Sequence, residues 1–121
     1  MKPAYYARCQ AIYGTPQEQR DVASINWLGF EVAQFPPQSD INAAKARGEN
    51  VMQTIFEPLV QSCSVLFFRA LPSGEIPAGV AKEIAIAQEV GLLLLELPSL
   101  GLRRILTVDE TRAYLGEIGQ R

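Results

Sequence analysis

Short apolar runs alternate with amphipathic stretches along the chain, which is the pattern of strands alternating with helices. Strands are predicted over residues 4–9, 30–35, 65–68 and 92–97, and the last two runs are almost wholly apolar. Such continuous runs are typical of parallel strands that are covered on both faces. A short extended segment around residues 104–106 predicts a fifth strand.

Capping and turn residues indicate where the intervening helices begin and end. Thr15 and Glu18 predict a capping box, and Pro16 between them suits the first position of a helix. That helix is expected to stop before Gly29. Further helices are predicted over residues 41–47, 51–62, 78–90 and 107–118. Pro58 should bend or divide the second of these.

The order of these elements predicts a single α/β domain over residues 1–121. We expect a flavodoxin-like, doubly wound parallel sheet of five strands in the order 2-1-3-4-5, with helices on both faces. The chain is long enough to bury a core without disulfide or metal support. Cys9 and Cys63 could form a disulfide, but two buried, reduced thiols are the favoured interpretation.

Composition narrows the classes of function. The chain has 11 basic and 13 acidic residues, a net charge of -2, which argues against general binding of nucleic acid or anionic membranes. It contains no histidine, so imidazole catalysis and histidine-bound metals are excluded. There is no signal-peptide segment and no long apolar run, so a cytoplasmic protein is expected. No metal and no cofactor are expected either.

Several charged residues fall near one edge of the predicted sheet. Ligands of doubly wound sheets bind beyond the carboxyl ends of the strands, where the strand order reverses, here between the first and third strands. Arg8 leaves the first strand and Arg69 leaves the third. The next helix carries Gly79, Lys82 and Glu83 in its first turns. Because a helix amino terminus favours anions, these residues predict a site for an anionic ligand.

Glu83 differs from the other charged residues of that helix. At about 100° per residue it falls inside the apolar arc, between Ala87 and Val90. Lys82 lies on the opposite side. A carboxylate on an apolar face is desolvated unless partnered, which is a common property of catalytic groups. A structural glutamate paired with an arginine fits the same pattern, and Tyr6 can equally contact a substrate or pack beside the sheet.

Four segments share features with one known family. They are Ala-Tyr-Tyr at residues 4–6, Trp-Leu-Gly-Phe-Glu-Val at 27–32, Leu-Val-Gln-Ser-Cys-Ser-Val-Leu at 59–66 and Ala-Gly-Val-Ala-Lys-Glu-Ile-Ala-Ile-Ala at 78–87. Together they resemble the nucleoside 2-deoxyribosyltransferase-like superfamily, which also includes nucleoside 5'-monophosphate N-glycosidases. The resemblance covers residues 4–97, and its most specific part is Gly79 with Glu83.

The resemblance implies roles for two residues. Glu83 matches the family's nucleophile, which attacks the anomeric carbon to form a covalent glycosyl-enzyme, and Tyr6 matches the tyrosine that orients it. Such a carboxylate needs no metal or histidine. A second glycosyl acceptor makes the enzyme a transferase, and water makes it a hydrolase. Members of the family are oligomers, so a homodimer or higher homo-oligomer is expected.

The chain departs from the family at two places. Arg69 stands where the transferases carry a base-holding acid, and Ala-Arg-Cys-Gln at residues 7–10 replaces glycine-rich sequence. Arg8 and Arg69 therefore suit a 5'-phosphate or another anion. We expect an N-glycosidase or deoxyribosyltransferase acting on a nucleoside or nucleoside 5'-monophosphate. The alternatives are a non-catalytic nucleotide-binding or sensing module and a purely structural interaction domain of the same fold.

Overall fold

In the part of the chain that the structure describes, four parallel strands form the centre of the fold. They are β1 (Lys2–Ala7), β2 (Phe30–Val32), β3 (Val65–Phe68) and β4 (Leu93–Glu96), in the order β2-β1-β3-β4. The structure is a computed structural model that describes residues 1–98 and 107–117. It confirms an α/β architecture with a parallel sheet, and the predicted fifth strand at residues 104–106 lies outside the described residues.

Among the described residues, five α-helices accompany the sheet: α1 (Pro16–Trp27), α2 (Gln38–Ala46), α3 (Glu57–Gln61), α4 (Ala78–Glu89) and α5 (Val108–Glu117). The predicted start of α1 is confirmed, since the Thr15 hydroxyl oxygen accepts a hydrogen bond from the Glu18 N–H at 3.4 Å. The Glu18 carboxylate reaches back to the N–H of Gly14, one residue earlier than a standard capping box requires. Gly29 follows the helix with a φ of 96°, a left-handed conformation that suits glycine.

The segment predicted as one helix over residues 51–62 is divided, as Pro58 led us to expect. A wide π-helical turn spans Met52–Phe56, and α3 then begins with Pro58 in its first turn. Proline has no N–H to donate, and this costs nothing in a first turn because those N–H groups have no partner within the helix. Phe56 and Glu57 both have right-handed helical dihedral angles, so the backbone passes from the wide turn into α3 without leaving the helical conformation.

Side chains of the strands alternate between two cores. Tyr5 and Ala7 of β1 pack with residues of α3 and α4, and we call this side of the sheet the α4 face. Ala4 and Tyr6 pack with Ile25 of α1 on the other side, the α1 face. Successive residues of a strand point to opposite sides of the sheet, so neighbouring tyrosines of β1 enter different cores.

The two cysteines of the chain lie apart and form no disulfide with each other. Cys9 and Cys63 are free thiols, as favoured, although Cys9 is only half-buried. Burial raises the pKa of the Cys63 thiol, as expected for a group removed from water. In residues 1–98 and 107–117, no helix is long and apolar enough to cross a membrane.

Candidate functional site

A pocket of about 300 Å³ lies beyond the carboxyl end of β1 on the α4 face, and we call it the Glu83 pocket. Its wall combines the segment after β1, an aromatic residue after β2, the π-helical turn and the first turns of α4. The residues concerned are Arg8, Cys9, Gln10, Tyr13, Phe35, Met52, Phe56, Pro77, Gly79, Val80 and Glu83. This is the edge of the sheet at which the sequence predicts a site.

Glu83 is the buried acid of this pocket. It is 7% exposed and lies with Val80 and Ala87 on the buried side of α4, as the periodicity predicts. The hydroxyl of Tyr5, which is fully buried, donates a hydrogen bond to Oε2 of Glu83. Burial raises the pKa of Glu83 from 4.5 to about 8. Near neutral pH this carboxyl therefore holds its proton most of the time.

Tyr5 occupies the position beside Glu83 that was expected for Tyr6. Tyr6 lies on the α1 face, where its hydroxyl donates a hydrogen bond to Oδ2 of Asp21. Burial and the bond to Asp21 both raise the pKa of the Tyr6 phenol. The structure corrects the expected position of Tyr6 because adjacent side chains of a strand cannot both face the same helix.

Arg69 is also on the α1 face, away from Glu83. Its Nε and Nη2 donate to the two carboxylate oxygens of Asp21 at 2.5 and 2.6 Å, and Nη2 also donates to the carbonyl oxygen of Pro98 at 2.9 Å. These bonds to Asp21 raise the pKa of Arg69. The strand alternation explains this position, since Arg69 is two residues after Phe67, which packs on the same face. Arg69 and Glu83 therefore line different pockets.

Arg8 is the arginine that the structure brings to the Glu83 pocket. Its guanidinium carbon lies 4.5, 4.9 and 4.4 Å from the ring centres of Tyr6, Tyr13 and Phe35, within cation–π distance. Its Nε also donates to Oε2 of Glu18 at 3.0 Å. The charge of Arg8 is thus partly balanced, and its position is fixed by contacts on several sides.

The two remaining predicted residues of α4 differ in position. Gly79 lines the Glu83 pocket, and a Cβ atom added there would meet no atom within 4 Å. Lys82 is exposed and does not belong to the pocket wall. One residue along a helix corresponds to a rotation of about 100°, which directs Lys82 away from the side that buries Glu83.

The cavity continues beyond Arg8 towards α2. A second space of about 270 Å³ shares Arg8, Gln10, Tyr13, Phe35 and Phe56 with the Glu83 pocket. Its far side is formed by side chains of α2 that include Gln38 and Lys45. Ligand pockets commonly measure roughly 300–1,000 Å³, so the two spaces together suit a ligand larger than a single ring.

Tyr5 and Asp21 were not predicted as site residues, although the sequence pattern indicates which side of its strand or helix each occupies. Tyr5 alternates with Ala4 and Tyr6, so one of the two tyrosines must face the helices opposite α1. Asp21 lies four residues before Ile25, which places it on the buried side of α1. Phe35 and Phe56 leave no comparable signal, because a loop and a π-helical turn have no regular period that sequence reveals.

Chemistry at this site depends on carboxylate, phenol and guanidinium groups. No cluster of three or more histidine, cysteine, aspartate or glutamate side chains that could hold a metal ion occurs within the described part of the chain. Neither a protein-family model, nor a curated protein, nor a solved structure matches this chain. The indications of function that this chain offers are therefore the Glu83 pocket and the short motifs in its sequence.

Proposed function

We propose that this protein cleaves or transfers the N-glycosidic bond of a nucleoside or nucleoside 5'-monophosphate, with Glu83 as the nucleophile. The observation that carries this proposal is a buried glutamate, bonded to Tyr5, in the wall of a pocket lined by aromatic side chains. A positioned carboxylate can attack an anomeric carbon without help from a metal or a histidine.

The reaction proceeds through two displacements. The ionised Glu83 carboxylate forms an ester bond to the anomeric carbon while the carbon–nitrogen bond breaks, and the base leaves with the electron pair and takes a proton from solvent. Water or a second base then attacks the same carbon and loses its proton to solvent, while the ester bond breaks and Glu83 leaves as a carboxylate. Tyr5 is a positioning residue, since its hydroxyl donates to Oε2 and holds the carboxylate in one orientation.

The other pocket residues suit the rest of such a ligand. Tyr13, Phe35 and Phe56 offer aromatic surfaces against which a planar base can stack. Arg8 is the cation available to an anionic group such as a 5'-phosphate. The anion-binding role expected for both arginines is thus proposed for Arg8 alone, because Arg8 lines the Glu83 pocket, whereas Arg69 is bonded to Asp21 on the other face of the sheet.

One observation favours the alternative of a non-catalytic nucleotide-binding module. With a pKa of about 8, Glu83 is mainly protonated at neutral pH and can donate a hydrogen bond to an acceptor atom of a ligand. A protonated carboxyl binds but does not attack. In this alternative the Glu83 pocket recognises a nucleotide, and no base is released.

Base release distinguishes the two candidates. The protein is incubated with ribo- and deoxyribonucleosides and their 5'-monophosphates, with and without an acceptor base, and free base is followed by chromatography. Glu83→Gln should abolish release, whereas Glu89→Gln, at an exposed site of the same helix, should not change it. Tyr5→Phe should slow release by roughly 10- to 100-fold, since a hydrogen bond to a charged group contributes about 1.5–3 kcal/mol.

Tyr6→Phe is the matched control for Tyr5→Phe, because it also removes a buried hydroxyl bonded to a carboxylate, but on the α1 face. We expect it to leave the rate of release within a few-fold of the parent. Release that persists in Glu83→Gln contradicts the proposed nucleophile. Thermal stabilisation by a nucleotide without release in any sample favours the binding module.

The finer fold belongs to this proposal as well. The observed order β2-β1-β3-β4 matches the first four strands of a flavodoxin-like sheet with the order 2-1-3-4-5. The fifth strand of that layout is the one predicted at residues 104–106, which lie outside the described residues. The homo-oligomer and the cytoplasmic location stay predictions from the sequence.

A further inference from the structure

A second, smaller pocket lies on the α1 face, beyond the end of β3, and we call it the Arg69 pocket. It measures about 110 Å³, and its wall includes Ile12, Gln17, Arg69, Ala70, Leu71 and Pro72. Most of this wall is apolar. The proposed glycosyl chemistry makes no use of this pocket, since Glu83 belongs to the other face of the sheet.

Arg69 is held rigidly at the wall of this pocket. The carboxylate of Asp21 accepts hydrogen bonds from Nε and Nη2 of Arg69 at 2.5 and 2.6 Å. It also accepts one from the hydroxyl of Tyr6 and one from the side-chain amide of Gln17, the latter at 2.9 Å. Asp21 is 2% exposed and Arg69 is 9% exposed. The guanidinium therefore cannot turn without breaking several buried hydrogen bonds.

One nitrogen of this guanidinium is still available. Within residues 1–98 and 107–117, Nη1 of Arg69 donates no hydrogen bond to a protein atom. No buried side-chain nitrogen or oxygen in those residues lacks a hydrogen-bond partner, so Nη1 must be in contact with solvent. Arg69 lines the pocket, and an oriented donor on a mostly apolar wall is the usual composition of a small-molecule site.

Charge and size define the ligand. The charges of Arg69 and Asp21 cancel, and among residues 1–98 and 107–117 Arg69 is the one charged residue in the wall of this pocket, so a neutral ligand fits better than an anion. Nη1 is a donor and needs an acceptor oxygen. At about 110 Å³ the pocket is smaller than a cavity of about 150 Å³ that was engineered into another protein and encloses benzene. Because this pocket is open to solvent, it can take one six-membered ring whose outer part stays at the mouth, but not two rings.

We propose that the Arg69 pocket binds a neutral, single-ring molecule through a carbonyl oxygen that accepts a hydrogen bond from Nη1 of Arg69. The ring then lies against the apolar side chains of Ile12 and Leu71. This site adjoins the Glu83 pocket, since Cys9 lines both, but its donor Arg69 lies on the other face of the sheet from Glu83. It does not depend on the proposed glycosyl chemistry.

Nicotinamide and nicotinate are suitable probes, because they share a ring and differ in charge. Each is titrated into the full chain, and binding is followed by the amide NMR signals of Ile12, Ala70 and Leu71, with Gly79 and Val80 reporting on the Glu83 pocket. Nicotinamide should shift the first group and bind more tightly than nicotinate. A bicyclic amide, quinoline-3-carboxamide, should bind more weakly because two rings exceed the pocket.

Leu71→Trp tests the site without touching the pair of Arg69 and Asp21, since the larger side chain fills the pocket. We expect at least about a tenfold loss of nicotinamide affinity, which corresponds to roughly 1.4 kcal/mol. Ile76→Trp, at an exposed site of the same loop, is the matched control and should bind normally. Arg69→Lys keeps the positive charge but removes Nη1, and it should weaken binding similarly.

Four outcomes overturn the proposal. They are tighter binding of nicotinate, shifts confined to Gly79 and Val80, no shifts at millimolar nicotinamide, and unchanged affinity in Leu71→Trp. Each is independent of base release, so failure here leaves the proposed role of Glu83 intact. Leu71→Trp still decides the question if Arg69→Lys does not fold.

Discussion

Glu83 links the chemistry of the site to the stability of the fold at the scale of a single residue. Its pKa in the folded protein is about 8, and its ordinary value is 4.5. Between these pH values the folded state holds a proton that the unfolded chain has lost, so the free energy of unfolding must fall as pH rises. The contribution of this proton to the free energy of unfolding is fully present below pH 4.5, and it is lost as the pH rises to about 8.

This linkage gives a direct prediction for Glu83→Gln, which cannot ionise. The free energy of unfolding of the parent should fall relative to Glu83→Gln between pH 4.5 and pH 8, by up to roughly 5 kcal/mol at about 1.4 kcal/mol per pH unit. Urea unfolding across this range measures the difference. Glu89→Gln, which is exposed, should follow the parent at every pH. Parallel curves for the parent and Glu83→Gln contradict a raised pKa.

Gly79 gives a prediction at the scale of the helix. It lies in the first turn of α4 with no positive φ, and a Cβ there meets no atom within 4 Å, so the fold itself does not require glycine. Gly79→Ala should stabilise the protein by roughly 0.5–1 kcal/mol, because alanine loses less backbone entropy in a helix. It should nevertheless slow base release, since the added methyl group enters the wall of the Glu83 pocket.

Gly116→Ala is the matched control for this change. Gly116 lies in α5, and a Cβ there also meets no atom within 4 Å. It should raise the midpoint of thermal unfolding as Gly79→Ala does, without changing base release. Equal rates for both variants would mean that no ligand approaches the backbone at Gly79.

Elements could be predicted well where local signals agree. The start of α1 at Thr15 and of α5 at Thr107 follows from capping residues that interact within one turn. The π-helical turn could not be predicted, although Pro58 indicated a division, because proline excludes a hydrogen bond without specifying what precedes it. That turn brings Met52 and Phe56 to the Glu83 pocket.

Asp21 gives a prediction at the scale of the whole molecule, because it joins α1 to the ends of β1 and β3. Asp21→Asn leaves the buried charge of Arg69 without its partner, and breaking such a pair typically costs about 3–5 kcal/mol. Chemical denaturation should show a loss of this size. Asp40→Asn, in the exposed first turn of α2, should cost less than about 1 kcal/mol.

The double variant Asp21→Leu with Arg69→Met separates charge from packing. It removes both charges and keeps apolar volume, but it leaves the buried hydroxyl of Tyr6 without its partner Asp21. With Tyr6→Phe added to remove that hydroxyl, it should recover much of the stability that Asp21→Asn loses. If Asp21→Asn costs no more than Asp40→Asn, the ion pair does not hold α1 against the sheet.

Sequence alone was enough to predict the alternation of strands and helices, the capped helix starts and the buried position of Glu83. These depend on residues within a few positions of one another, where periodicity and hydrogen bonding are local. The contacts of Tyr5 with Glu83 and of Asp21 with Arg69 became known from the folded chain, because these partners are 78 and 48 residues apart in sequence. Such partners depend on strand order and on which face of the sheet each side chain enters, and a shift of one residue along β1 exchanges the two tyrosines.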